Sequence, residues 1–381
     1  MDAVFKDALE WEEFQSVSPL TVPLGIDEFG EKHLVNIAKM PHMLIGGTTG
    51  SGKSTLIHSF VNALLEKNAP DTLRFIFIDP SRVELTQYAN LPHLLTPPIV
   101  QAKKAIMALS WAVKEMERRY DILEAEKVQN ITSYHKNIYR PAKAEWEKRG
   151  AKKSEQSALP ESLPYIVIII DELNDIMQAY PREIEAMVIR LAQMSRAVGI
   201  HLIIATQRPS TSVITGMIKA NIPARIAMAV ASQIDSRTII DTPGAEKLRG
   251  SGDILYLGSD SPRPVRLQGL YISEDEVRAR VQALTEVDNI TIRETIDLGE
   301  SSKYSNDSIF NSMVGDGDVD DDLYEDAKAA VIEAGKASTS YIQRKLRIGY
   351  SRSARLMDML EESGVIGPAD GVSAREVLSK K

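Results

Sequence analysis

Lys53 and Ser54 follow glycines at positions 47, 50 and 52, a spacing that can hold a triphosphate. A short apolar run from His42 meets Gly47, and Gly52-Lys53-Ser54 opens a segment with Leu56, Phe60 and Leu64 at helical spacing. Strand, loop and helix in that order are what a P-loop requires. Its glycines let successive amides turn inward around phosphate oxygens at a helix N-terminus. The candidate phosphate cradle is Gly47, Thr48, Thr49, Gly50, Ser51, Gly52, Lys53, Ser54 and Thr55. In it, Lys53 reaches the terminal phosphates and the Ser54 hydroxyl holds magnesium. A glycine-rich loop could match by accident, but the flanks argue for the nucleotide.

Hydrolysis needs more, and two strand ends offer it. Tyr165 to Ile170 is a β-branched run suited to a central parallel strand, and it ends in Asp171 and Glu172. Asp171 can hold magnesium through water, and Glu172 can orient or deprotonate the attacking water. The plain alternative is a strand ending in an acidic helix cap. A second buried run, Gly199 to Thr206, ends in Gln207, placed to sense the terminal phosphate. A third, Arg74 to Ile78, ends in Asp79, which either faces the nucleotide or caps the next turn.

The elements that position these residues alternate strand and helix from residue 20 to about 285, which predicts one doubly wound α/β domain. It includes a long amphipathic helix from Ala102 to Lys127, a helix around Ile184 to Ala197, and further strands at Ala224 to Val230 and Gly252 to Leu257. Residues 1–19 read as a leader too short to be a domain, and Tyr139 to Leu163 as a mobile surface insertion without periodicity. Residues 286–322 lose the alternation and end in a like-charged run that reads as an acidic flexible linker.

Residues 323–381 form a separate small domain in this reading. Helical patterns at Leu323 to Glu333, Ser340 to Leu346 and Ser351 to Ser363, then a hairpin candidate at Ile366 to Val372, match a winged helix-turn-helix. From Lys336 to Arg355 there are six basic residues (Lys336, Arg344, Lys345, Arg347, Arg352, Arg355) and no acidic one. DNA phosphates require such a footprint, and a protein-binding helical module with a solvated basic face is the alternative. Ser351, Arg355 and Asp358 share one face of the third helix.

Composition excludes other chemistries. The 381 residues contain no cysteine, so no disulfide framework, thiolate zinc site or cysteine nucleophile is available, and the six histidines are scattered without ligand spacing. No apolar run reaches membrane-spanning length and no signal-peptide pattern opens the chain, so a cytoplasmic protein is expected. A net charge of −8 still permits a local basic patch for DNA.

Taken together, the motifs resemble the FtsK/SpoIIIE-type DNA translocases. They are Gly-Gly-Thr-Thr-Gly-Ser-Gly-Lys-Ser (46–54), Ile-Asp-Pro (78–80), Leu-Pro-His-Leu-Leu-Thr-Pro (91–97) and Met-Glu-Arg-Arg-Tyr (116–120). They continue through Ile-Asp-Glu-Leu (170–173), Ala-Thr-Gln-Arg-Pro-Ser (205–210), Ile-Asp-Ser-Arg-Thr-Ile (234–239), Gly-Ala-Glu-Lys-Leu (244–248) and Gln-Arg-Lys-Leu-Arg-Ile-Gly-Tyr (343–350). The resemblance implies a RecA-like P-loop NTPase core with a mostly parallel sheet, followed by a winged helix. It implies a homo-hexameric ring that uses ATP and magnesium to pump double-stranded DNA. It also implies that Arg196, by sequence alone an ordinary surface arginine, reaches a neighbour's phosphates as an arginine finger. In the cellular family the face carrying Ser351, Arg355 and Asp358 reads orienting sequences, typically with Asn, Arg and Glu. The family's membrane-spanning N-terminus is not among these residues, and Ser81 stands where a basic residue is usual. A phage, plasmid or mobile-element translocase fits as well as a cellular one, with room for a recombinase or another DNA-processing partner. The competing readings are a ring ATPase serving conjugation or viral packaging, and a nucleotide-switched DNA-binding regulator without motor activity.

Overall fold

The computed structural model describes residues 4–149, 159–258, 261, 263–287, 296, 324–334, 336–346, 356–357, 359–361, 363–367 and 375–378. The chain divides into two compact units, Met1–Ser301 and Ser302–Lys381.

The first unit is built on nine strands: β1 Thr21–Asp27, β2 Lys32–Asn36, β3 His42–Gly46, β4 Leu73–Ile78, β5 Tyr165–Ile170, β6 Ile200–Thr206, β7 Ala224–Ala227, β8 Asp253–Leu257 and β9 Val265–Gly269. They form one sheet in the order β2-β1-β9-β8-β7-β3-β6-β5-β4. From β7 to β4 the pairing is parallel, and from β7 through β8, β9 and β1 to β2 it is antiparallel. The expected doubly wound half is therefore present, extended by an antiparallel half whose β1, β2 and β9 carry no clear strand signal. β1 shows why: its first five residues are all buried, so it lacks the alternation of a half-exposed strand.

The first helices are α1 Phe5–Leu9, α2 Glu12–Gln15, α3 Lys53–Lys67 and α4 Ala102–Ala125. A short α5, Ile131–Tyr134, runs through a π turn at His135–Tyr139 into α6, Arg140–Lys148. Then come α7 Leu173–Ala179, α8 Pro181–Met194, α9 Gly216–Asn221, α10 Gln233–Ile240 and α11 Glu274–Val287. The stretch expected as a formless insertion thus begins as helix. Arg140–Lys148 is rich in Ala, Glu and Lys, strong helix formers that need no apolar stripe, and it has no buried residue. Leader residues Phe5, Ala8, Trp11 and Phe14 join the main core with α3, Val277 and Val281 of α11, and the Val167 and Ile169 side of β5. Ile166, Ile168 and Ile170 alternate to the other face, on which α7 and α8 pack against β6 and α4 packs on α8. No described helix is long and apolar enough to cross a membrane.

His42 on β3 and His201 on β6 lie buried with ring centroids 6.3 Å apart. Burial lowers the pKa of His42 to about 3, with His201 adding to the effect, and that of His201 to about 4. Both rings are therefore neutral when folded but titrate near 6.5 when unfolded. Their contribution is complete above 6.5 and is lost as pH falls toward the folded values, about 2 kcal/mol for each between pH 7 and pH 5. Urea melts at those two pH values should show a clearly lower midpoint at pH 5; an unmoved midpoint would refute neutral burial of the pair.

In the second unit, α12 Tyr324–Ala334 and α13 Thr339–Leu346 are joined by β10 Lys336–Ala337, which pairs antiparallel with β11 Arg375–Glu376. Ile366 bridges Val377. Ala327, Val331, Ala337, Ile342, Leu356, Met357, Leu360, Val365 and Ile366 form its core. These are elements of the winged helix, with β11 pairing on the strand between the first two helices; residues 368–372 of the hairpin candidate lie outside the described residues.

Candidate active site

β3 leads directly into the loop 47–52, whose last residue caps α3 with a left-handed φ of 100°. A Cβ on Gly52 would lie 2.6 Å from the Gly252 amide, so glycine is required by both angle and space. The first-turn amides of α3, from Lys53 onward, have no intrahelical partner and face the loop's concave side. The outer loop is pinned: Gly47 N donates to Thr206 O at 3.2 Å, and Thr48 N and Oγ1 both donate to Ala229 O.

Lys53 is buried, and its Nζ donates to Asp171 Oδ1 and to the Asp171 carbonyl, each at 2.7 Å. Burial pushes the Asp171 carboxyl above the usual carboxylate range, while Lys53 pulls it back. Asp171 Oδ2 is buried with no partner among the described residues. Glu172 caps α7 through Oε1, which accepts from Asn174 N at 3.1 Å and from the Thr206 hydroxyl at 2.6 Å. Its Oε2 accepts from Gln207 N at 2.7 Å, and Thr49 Oγ1 donates to Gln207 Oε1 at 2.9 Å. Glu172 is therefore both helix cap and tether, and Gln207 links it to the P-loop tip. Asp79 instead serves its own turn, accepting from Ser81 Oγ, Arg82 N and Leu85 N.

A cavity of 360 Å³ is lined by Thr48, Thr49, Gly50, Gly52, Lys53, Ser54, Thr55 and Gln207, with Glu84, Ser251, Gly252, Gly269, Leu270 and Tyr271; Asp171 and Glu172 are not part of that lining. The second group carries no local signal in the sequence. Ser251 and Gly252 come from the turn before β8, and Leu270 and Tyr271 from the end of β9; only closure of the antiparallel half brings them in. Val4 and Phe5 reach Tyr271, with Phe5 N donating to its carbonyl at 2.9 Å. Glu84 is held below its usual pKa, chiefly by His58 at 3.6 Å, with a Ser54 hydrogen bond adding to the effect. Ser54 and Glu84 in that lining, and the unpartnered oxygen of Asp171 on the carboxylate that holds Lys53, offer the hard oxygens that magnesium takes.

Arg196 lies elsewhere. It is exposed on the turn Ser195–Val198, ahead of β6, and its side chain makes no hydrogen bond among the described residues, while its carbonyl accepts from Gly199 N. β3 and β6 run parallel with Gly46 opposite Thr206, so the P-loop and Gln207 share the C-terminal edge of the sheet. Arg196 stands at the other edge, about 20 Å away along the seven-residue β6. Of the DNA-facing candidates, Lys345 is exposed on α13 and Arg344 belongs to the same helix. Arg347, Ser351, Arg352, Arg355 and Asp358 lie outside the described residues.

A RecA-like sheet carrying a P-loop, an acidic strand end and a polar strand tip on one edge defines a P-loop NTPase. The FtsK/SpoIIIE family model matches residues 5–211, and the Ftsk gamma domain model matches residues 318–380. The chain belongs to the FtsK/SpoIIIE family. It is 45% identical over 374 residues to the DNA translocase FtsK of Streptococcus pyogenes serotype M1, covering 98% of this chain and 45% of that protein. It is 46% identical over 376 residues to the DNA translocase FtsK of Caldanaerobacter subterraneus, covering 98% and 48%. The chain thus spans just under half the length of these curated relatives. Among solved structures, the conjugation coupling protein TcpA of pCW3, in a monomer form with ATPgS, aligns with a TM-score of 0.59 at 25% identity, covering 72% of this chain and 73% of that one. The cytoplasmic domain of the Type VII secretion ATPase EccC of Thermomonospora curvata shares the fold, with a TM-score of 0.61 at 22% identity, covering 78% and 36%.

Proposed function

We propose that the chain is an ATP-driven translocase of double-stranded DNA, working in the cytoplasm as a homo-hexameric ring with the winged helix docking on the duplex. The observation that carries this reading is the separation of Arg196 from its own P-loop. A nucleotide site on one edge of the sheet and a free cation on the opposite edge complete one another when copies stack head to tail, and head-to-tail contacts that close make rings. The names of the FtsK relatives and the match to the gamma domain support duplex DNA as the substrate.

In this mechanism the cradle 47–55 and Lys53 hold the phosphates, Glu172 takes or orients the proton of the attacking water, and Gln207 senses the terminal phosphate through its link to Thr49. Ser54 and Asp171 would hold magnesium, which would supply positive charge against the phosphates when bound. Arg196 adds positive charge from the neighbouring subunit. On the winged helix, Arg344, Lys345, Arg347 and Arg352 grip phosphates, while Ser351, Arg355 and Asp358 face the bases. Arg355 alone keeps the two-pronged grip on guanine, so the preference differs from the family's usual one, as selection of random duplexes by the full chain would show. The likeness to TcpA favours transfer of DNA in conjugation as a second reading.

ATP turnover measured with and without linear duplex, alongside electron microscopy of the same sample, tests the proposal. Turnover that rises with duplex, together with rings, supports it; turnover indifferent to DNA rejects it.

A further inference from the structure

The run Met116-Glu117-Arg118-Arg119-Tyr120 has no place in the mechanism so far, yet it grips the turn that carries Arg196. Tyr120 Oη donates to Met194 O at 2.6 Å, and Arg119 Nη1 donates to Val198 O at 3.0 Å. The two anchors bracket Arg196, two residues before it and two after. Within the turn, Ser195 Oγ donates to Ile200 O at 2.7 Å, and Glu117 of the same run pairs with Arg190 of α8.

Arg119 is only 2% exposed, a costly place for a guanidinium unless its hydrogen bonds are met. Its Nε is satisfied by Glu115 Oε1 at 2.8 Å, and Arg118 ties that same carboxylate to Glu161. Core filling alone needs no such network; a polar anchor on one backbone carbonyl does. Arg196 itself has no side-chain partner among the described residues, so its direction is set by the backbone beneath it. A long flexible side chain that must meet a phosphate on another molecule gains from a fixed base.

We propose that Tyr120 and Arg119 are positioning residues that aim Arg196 at the neighbouring subunit's nucleotide. This rests on Arg196 acting in trans. It assigns the run at 116–120 to the subunit interface rather than to its own nucleotide site.

Tyr120→Phe tests it, because the ring stays and only the anchor on Met194 O is lost. Its duplex-stimulated kcat should fall on the order of ten-fold, while its KM for ATP and its nucleotide affinity stay unchanged. Mixed with Lys53→Ala, which lacks turnover but keeps an intact turn, Tyr120→Phe should regain turnover per intact P-loop, since a neighbour now supplies a well-aimed arginine. Arg119→Lys, which keeps its charge beside Glu115 but reaches Val198 O less well, should follow the same pattern. The control is Arg196→Ala mixed with Lys53→Ala. If the control recovers but Tyr120→Phe does not, the defect is confined to its own subunit and the positioning role is overturned while Arg196 keeps its role. If neither recovers in proven mixed rings, the trans role of Arg196 falls and this proposal with it. Unchanged kcat in Tyr120→Phe alone also overturns it.

Discussion

Glu172→Gln is expected to bind ATP almost as the parent does and to hydrolyse it about 10²- to 10⁴-fold more slowly, the range a positioned general base supplies. The substitution keeps the shape of the side chain. One amide oxygen can still accept from Asn174 N and the Thr206 hydroxyl, as Oε1 does now. What disappears is the negative charge at the tip of β5 and the acceptor facing Gln207 N. Lys53→Ala should behave differently and lose nucleotide binding itself, because Lys53 is the cation of the cradle. Equilibrium binding of a fluorescent nucleotide and single-turnover hydrolysis separate the two outcomes. Full turnover in Glu172→Gln would reduce that residue to the cap and tether it visibly is.

Arg196→Ala should lose on the order of 10³ in turnover, as removal of such a finger does in other NTPases. Mixed in equal amounts with Lys53→Ala, it should regain activity, because about a quarter of the interfaces in randomly mixed rings pair an intact P-loop with an intact Arg196. The sheet makes the expectation specific. Arg196 and Lys53 lie at opposite ends of paired parallel strands, so neither variant can repair itself. Mixed rings that stay inactive would place Arg196 outside the reaction.

Legibility in the sequence followed locality. The P-loop could be read because strand, glycines, lysine and helix are contiguous, and Asp171 and Glu172 because a β-branched run delivers them. Other features depend on tertiary closure. Glu84 enters the cavity because Asp79 folds the turn that precedes it. Gly252 enters because its amide donates to Ser51 O at 3.0 Å, across some two hundred residues of chain. Tyr271 is there because β9 pairs with β1, a strand whose uniform burial hides its period. Asp79 is ambiguous in sequence because its role is set by three donors in the turn that follows it. Arg196 drew its role from resemblance; the structure adds where it stands and what holds its turn.

Displacement of a third strand annealed to linear duplex DNA tests the central claim most directly, because only movement along the duplex removes it without melting the two strands beneath. The parent chain with hydrolysable ATP and magnesium should release that strand, while a non-hydrolysable analogue, Lys53→Ala and Glu172→Gln should leave it in place. A parent chain that hydrolyses ATP on the same duplex yet leaves the third strand bound would contradict a translocase.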